Sequence, residues 1–235
     1  MQSTIIGAPV TQIEGPSKVT GQRRYAADVD LPDMLWGKIL RSPHPHARIA
    51  GIDASKAWSV PGVKAVVTGQ DAPGHLMGKV LRDMPVLCWD RVRYIGDRVA
   101  AIAAETPEAS EEALQLIEVD YEGMPAVFDP RRAMQPEAPL LHDEVAAYDG
   151  AHIQVLAQDV HNGQTRVAWS KGDVAQGFSE ADLVLEHCFS VPSRHQGYLE
   201  PFASIVSIDV DGRIQAWSSS KAPFRARRQL AQAVG

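Results

Sequence analysis

His44 and His46 stand two residues apart in RSPHPHARIAGID (41–53), with Pro45 between them and Arg41 and Arg48 on either side. Side chains at alternate positions of an extended chain leave the same face, so two imidazoles at this spacing could begin a metal or acid–base site. The same residues also suit a turn that runs into an ordinary strand. No Asp, Glu or Cys elsewhere completes the pair at recognisable metal spacing. The pairs His142/Asp143 and Asp159/His161 fall in loops and likewise lack a third ligand. Cys88 and Cys188 have no companions for an iron–sulfur cluster, which takes four thiolates in most cases. No metal ligand set is therefore expected in this chain. Glu200, in HQGYLEP (195–201), has two readings. Either it lies near a cofactor or substrate channel, or it is a buried carboxylate that accepts hydrogen bonds from backbone N–H groups. A general acid or base needs a substrate proton within reach.

Totals narrow the choices. With 235 residues the chain suits one large domain or two smaller ones, and its 45% hydrophobic and 22% charged make-up is that of an ordinary globular protein. A formal charge of −6 and dispersed basic residues argue against a dedicated nucleic-acid surface, which needs clustered Lys and Arg. The local exception is Lys221, Arg225, Arg227 and Arg228, read as a solvated helix face or a docking surface. Two cysteines cannot make a disulfide framework, and a thiol-reducing compartment is the simplest expectation. Residues 1–15 show no basic stretch followed by an apolar run, and no segment approaches the roughly 18 apolar residues of a membrane helix. The expectation is a cytoplasmic protein.

The elements that must position these residues follow from local signals. Residues 1–22 read as an extended lead-in; 34–40 and 47–52 read as strands with SPHP as the turn between them. Asp53 is placed to cap a short helix over 54–58, Pro61-Gly62 stops it, and VKAVVT (63–68) is the next strand. VRYIGDRVAAIAAE (92–105) gives two apolar runs broken at Gly96-Asp97, and Asp97 and Arg98 read as structural groups at that turn. Thr106-Pro107 is a helix start that puts Ala109, Ala113, Leu116 and Ile117 on one face, and IEVDY (117–121) follows as a strand. Residues 125–148 read as a linker wrapping a surface. After it, 182–192, 203–210 and 213–219 read as strands, with Asp211-Gly212 as a hairpin turn, and 223–234 as a helix. The class is α+β.

Five stretches together carry a resemblance. KVTGQRRYAADVDLPDMLWGKILRSPHPHARIAGID (18–53) and VRYIGDRVAAIAAETPEASEEALQLIEVDYEGMPAVFDP (92–130) resemble the α/β-hammerhead domain of the xanthine dehydrogenase/aldehyde oxidase family of molybdenum hydroxylases. GDVAQGFSEADLVLE (172–186), HQGYLEP (195–201) and IQAWSSSKAPFRARRQLAQAVG (214–235) resemble the start of its first molybdopterin-binding domain. The resemblance implies a lead-in over 1–19, a hammerhead domain over 20–126, a linker over 127–150 and an incomplete cofactor-binding domain over 151–235. It implies hydroxylation of an aldehyde or N-heteroaromatic carbon with oxygen from water. The cofactor implied is molybdenum–molybdopterin, shared with further polypeptide. Iron–sulfur clusters and FAD are expected on partner subunits.

The resemblance also points to Lys221, Gln196 and Glu200 as cofactor contacts. At Lys221 the family commonly has a glutamine whose amide bonds an oxo ligand of the metal, whereas an ammonium donates but cannot accept. The family's glycine-rich loop and its late glutamate base would lie past Gly235, so no catalytic residue is assigned here. The expected function is the N-terminal part of the cofactor subunit. The alternative is a non-catalytic binding or assembly module that keeps the hammerhead fold. On the first reading the partners are the remainder of the large subunit, the iron–sulfur and flavin subunits and a small-molecule substrate. The two histidines of the opening stretch then read as a structural turn.

Overall fold

The structure, a computed structural model, describes residues 6–151, 160–198 and 200–234. Helices and antiparallel strands are mixed, and the chain divides into two compact units, each discontinuous in sequence. One joins residues 1–32 to 188–223; the other joins 33–187 to 224–235.

The larger unit holds two three-stranded sheets. β1 (Trp36–Arg41), β7 (Arg98–Ala104) and β3 (Val63–Thr68) form one in the order β1-β7-β3; β6 (Arg91–Val92), β2 (Ala47–Asp53) and β8 (Glu118–Gly123) form the other in the order β6-β2-β8. A short ladder pairs β4 (Leu76–Met77) with β5 (Met84–Pro85). Helix α2 (Pro107–Gln115) packs on the first sheet. Its start is local chemistry: the Thr106 hydroxyl accepts from Ala109 N–H at 3.1 Å, and Pro107 occupies the first turn, where its missing N–H costs nothing. Ala113 and Ile117 are buried with Ala57, Val60, Ala100 and Ile102, and Ala109 and Leu116 pack against them, so the expected apolar face is the buried one. A second cluster gathers Ala47, Ile49, Cys88, Val92 and Val99.

The linker stretch is fastened to this unit. It carries a short helix α3 (Pro130–Ala133), capped by Asp129, which accepts from Arg131 N–H at 2.7 Å. The Asn162 amide donates to the carbonyls of Ala133 and Pro139 at 3.0 Å each, and its Oδ1 accepts from Leu141 N–H at 3.0 Å. Arg93 Nε donates to the Leu141 carbonyl at 2.8 Å. These bonds come from side chains far along the chain, which is why the stretch shows no periodicity of its own.

The smaller unit contains helix α1 (Gly15–Val19), a 3-10 turn at Ala26–Asp28, and the hairpin of β9 (Ser204–Ile208) and β10 (Ile214–Ser218). Asp209 Oδ1 accepts from the N–H groups of Asp211 and Arg213 at 3.0 and 2.8 Å, and Gly212 at φ 77° completes the turn that Asp211-Gly212 announces. α1 departs from the expected extended lead-in: Pro16 sits in its first turn, and Ser17 Oγ donates to the Glu14 carbonyl at 2.9 Å. Residues 182–192 depart in the other direction. They read as a strand from sequence, and among the described residues they have no regular secondary structure. Helix α4 (Val174–Ser179) precedes them, capped by Asp173, which accepts from Gln176 N–H at 2.9 Å; α5 (Pro223–Val234) matches its expected span. Among the described residues, no helix is long and apolar enough to cross a membrane.

Candidate functional site

A cleft with a volume of about 720 Å³ lies in the smaller unit. One wall is the stretch from Arg23 to Ala26 with Val29, Asp30 and Leu31, and the floor is Ala216 to Ser220 with Glu200. Local bonds hold the wall. Tyr25 N–H donates to Asp28 Oδ2 at 2.8 Å, Arg24 Nη2 donates to the Asp28 carbonyl at 3.1 Å, and Arg23 pairs with Glu14 at 3.0 Å. On the floor, Ser219 Oγ lies 3.1 Å from Glu200 Oε1 and 3.0 Å from the Pro201 carbonyl; Ser204 and Ser218 hydroxyls are 2.9 Å apart. Ser220 Oγ accepts from Ala222 N–H at 3.1 Å.

Of the residues singled out from sequence, Glu200 is in this cleft, half-buried and bonded to a hydroxyl. Lys221 follows the floor and is exposed. Gln196 is exposed in an irregular stretch where Gly197 N–H donates to His195 Nδ1 at 3.1 Å. The rings of His195, Tyr198 and Phe202 follow one another at centroid separations of 4.8 and 4.7 Å. Sequence reasoning misses Arg23, Arg24, Tyr25 and Ser218 to Ser220 as site residues. Their signals, the RRY run and the serine run after Trp217, become informative only once the fold brings the two segments together.

The cleft is rich in donors: two guanidiniums, a phenol and several serine hydroxyls. The carboxyl groups of Asp30 and Glu200 line the same cleft, so it presents both donors and acceptors. Among the described residues, no group of three His, Cys, Asp or Glu side chains could hold a metal ion.

The other sequence candidates are structural. His46 is buried, its Nδ1 donates to the Pro125 carbonyl at 2.7 Å, and its Nε2 has no hydrogen-bond partner among the described residues. His44 lies against Tyr121 with ring centroids 4.8 Å apart, and Ser42 Oγ accepts from His44 N–H at 3.0 Å. Asp97 is buried and accepts from Arg93 N–H at 2.9 Å; Arg98 Nη2 donates to the Pro85 carbonyl at 2.9 Å. Cys88 is buried beside Asp97, and burial first and the carboxylate second push its thiol up to about 12. Cys188 is exposed. Of the pair Asp159/His161, Asp159 lies outside the described residues, and His161 Nε2 donates to the Ala138 carbonyl at 2.7 Å.

His142 has a smaller cleft of about 450 Å³ around it, with Leu81, Leu140, Leu141 and Val145. Its Nδ1 lies 3.0 Å from the Tyr148 hydroxyl. Burial, and then the Arg93 charge, hold its pKa below the ordinary histidine value of 6.5; Arg91 acts in the same sense, while Asp83 and Asp143 oppose it. The unfolded chain therefore binds this proton more readily than the folded one. The neutral ring's contribution is complete above the unfolded value and declines as pH falls through 6.5 toward the lower folded value. Denaturation midpoints should fall across that window, and His142→Gln should flatten the dependence; an unchanged slope would remove His142 as its source.

Known proteins match this architecture in order. The family described as "Aldehyde oxidase and xanthine dehydrogenase, a/b hammerhead domain" matches residues 20–125, and "Molybdopterin cofactor-binding domain" matches residues 157–235. An α+β hammerhead domain leading into the start of a cofactor-binding domain is the class this fold defines. The chain belongs to the aldehyde oxidase and xanthine dehydrogenase family of molybdopterin-binding large subunits. It is 39% identical over 220 residues to a probable xanthine dehydrogenase subunit of Bacillus subtilis (strain 168), covering 93% of this chain and 27% of that protein. It is 35% identical over 231 residues to the carbon monoxide dehydrogenase large chain of Afipia carboxidovorans, covering 94% and 28%. Among solved structures, the Cu,Mo-CO dehydrogenase in its carbon monoxide reduced state superposes with a TM-score of 0.80 at 33% identity, over 97% of this chain and 29% of that one. The chain thus spans between about a quarter and a half of the length of these and other curated relatives.

Proposed function

We propose that this chain is the N-terminal part of the molybdenum-cofactor subunit of a hydroxylase that oxidises an aldehyde or N-heteroaromatic carbon with oxygen from water. Residues 20–126 are its hammerhead domain, 127–150 its linker and 151–235 the start of its cofactor-binding domain. Activity requires further polypeptide, with iron–sulfur and flavin partners and a cytoplasmic setting. The carrying observation is the ordered pair of matches, hammerhead and then cofactor-binding domain, in a chain whose smaller unit contains a donor-rich cleft.

When bound, molybdenum–molybdopterin supplies two-electron acceptance and oxygen transfer, chemistry that no side chain provides. This chain's residues bind and orient. Arg24, Tyr25 and the serine hydroxyls of the cleft would hold the anionic and amide edges, and Glu200 orients the Ser219 hydroxyl. Gln196 and Lys221 are proposed as neighbouring contacts from the exposed segments on either side of the hairpin.

The test is to purify the chain with its neighbouring subunits and measure molybdenum by elemental analysis. Metal in proportion to the complex, lost when this chain is omitted and reduced by Arg24→Glu, is the expected result. Equal metal content without this chain overturns the proposal. Lys221, standing where glutamine is usual, favours a second reading as a non-catalytic binding or assembly module. A complex that loads molybdenum and oxidises no aldehyde or N-heteroaromatic compound would select that reading.

A further inference from the structure

The cleft of about 450 Å³ beside His142 lies in the larger unit, where three stretches remote in sequence meet. Leu81 and Asp83 come from the turn between β4 and β5, residues 140–145 from the linker, and residues 160–164 from the stretch beyond it. Its volume is that of a small-molecule pocket, and Leu81, Leu140, Leu141, Val145 and Val160 make most of the lining apolar. Several polar groups around it are already paired. Asp143 meets Arg91 at 3.4 Å, His161 Nε2 donates to the Ala138 carbonyl at 2.7 Å, and the Asn162 amide is spent on Ala133, Pro139 and Leu141. Two groups are not. Asp83 is half-buried, and neither its carboxylate nor His142 Nε2 has a hydrogen-bond partner among the described residues. A half-buried carboxylate beside apolar walls gains much from a donor brought in by a ligand.

We propose that this cleft binds a small, neutral, mainly apolar molecule carrying one N–H or O–H donor, with the donor on Asp83 and the apolar body among the leucines and valines. The surrounding charges select a neutral ligand. Arg91 and Arg93 act on His142 in one sense and Asp83 and Asp143 in the other, so two positive and two negative groups balance around the ring and favour neither a cation nor an anion. The apolar walls select a ring or branched chain over a sugar or a phosphate. Binding here also acts on the fold. The walls belong to the β4–β5 turn, the linker and the stretch beyond it, so an occupant that touches all three stabilises their closed arrangement by mass action. The cleft is a ligand-dependent clamp on the linker.

The test titrates the full chain with indole and with benzofuran, which keeps the ring shape and replaces the N–H by an oxygen, and follows both by ligand-observed NMR. Indole should bind with a Kd of roughly 1 mM or tighter, and benzofuran about tenfold more weakly. Asp83→Ala should remove that difference by weakening indole alone, and since the carboxylate makes no hydrogen bond within the described residues, the variant should melt with the unmodified chain. Val145→Trp should fill the cleft and abolish binding of both. Far-UV circular dichroism and melting curves check that the variants fold. Indole should also slow amide exchange across 140–145 in the unmodified chain and not in Val145→Trp. Equal affinity for the two probes, a preference for indole that survives Asp83→Ala, or binding unchanged by Val145→Trp overturns the proposal, as does no binding of either probe. Binding that leaves exchange across 140–145 unchanged overturns the clamp. None of these results bears on molybdenum content, so the proposed function stands or falls separately.

Discussion

Asp97→Ala is expected to destabilise the larger unit by about 3 kcal/mol, because it leaves buried donors without their acceptor. Asp97 is 2% exposed, and its Oδ2 accepts from Arg93 N–H at 2.9 Å. The same carboxylate helps hold the proton on the neighbouring Cys88 thiol. The turn around it is tied to the strand ends: Ser42 N–H donates to the Asp97 carbonyl and Gly96 N–H to the Ser42 carbonyl, each at 2.8 Å. Alanine keeps those main-chain bonds and removes the carboxylate that organises the interior. Asp97→Asn keeps an acceptor oxygen and should cost about half as much. The second readout is thiol chemistry. In the native protein iodoacetamide should modify exposed Cys188 and spare Cys88, whose thiol is held at about 12 by burial and then by Asp97. Asp97→Ala removes the smaller of those causes and loosens the larger, so Cys88 should become reactive. A variant that melts with the wild type and leaves Cys88 unmodified would show that Asp97 is not the organising group.

Gly150→Ala should cost about 3 kcal/mol or more and release the linker from the larger unit. Gly150 is buried at φ 87°, a conformation L side chains rarely adopt, and a Cβ there would lie 1.9 Å from the Val80 carbonyl oxygen. That neighbour is backbone and cannot rotate away. The loop it belongs to is tied to the same place, since Arg82 N–H donates to the Asp149 carbonyl at 2.9 Å and Arg82 Nη1 meets Asp149 Oδ2 at 2.9 Å. Moving the loop breaks both. Gly74→Ala is the internal control: φ is 80° but nothing lies within 4 Å, so it carries only the conformational cost of about 1 kcal/mol. Denaturant titration should separate the two variants, and limited proteolysis should cut the 137–149 stretch faster in Gly150→Ala alone. Equal stabilities would show that the carbonyl contact does not constrain the linker.

Much of the architecture is legible because its signals are short-range. Thr106-Pro107 announces α2, Asp211-Gly212 announces the hairpin, and the apolar runs around 98–104 and 203–210 mark strands, since caps, turns and apolar runs are set by residues a few positions apart. The family resemblance is legible for a related reason: 18–53 and 92–130 keep the order of turns and strands that a hammerhead needs, and that order is written along the chain. Two kinds of signal mislead. Pro16 and Gly15 in the lead-in look like breakers but serve as the start of α1. The stretch 182–192 reads as a strand and has no regular secondary structure among the described residues, since strand pairing is decided by remote segments that no local signal reveals.

By itself, then, the sequence determined the α+β class, the family, and the spans of α2, α5 and the hairpin. The tertiary structure alone decided the fate of the individual side chains. His46 became a buried donor because Pro125, 79 residues away, placed its carbonyl 2.7 Å from Nδ1. Glu200 became part of a cleft because residues 23–31 pack with 216–220, segments separated by nearly the whole larger unit. Local order costs little loop entropy and can be read from neighbours. A site is a set of distances between remote residues, and those distances exist only after the chain has closed its long loops around a packed core.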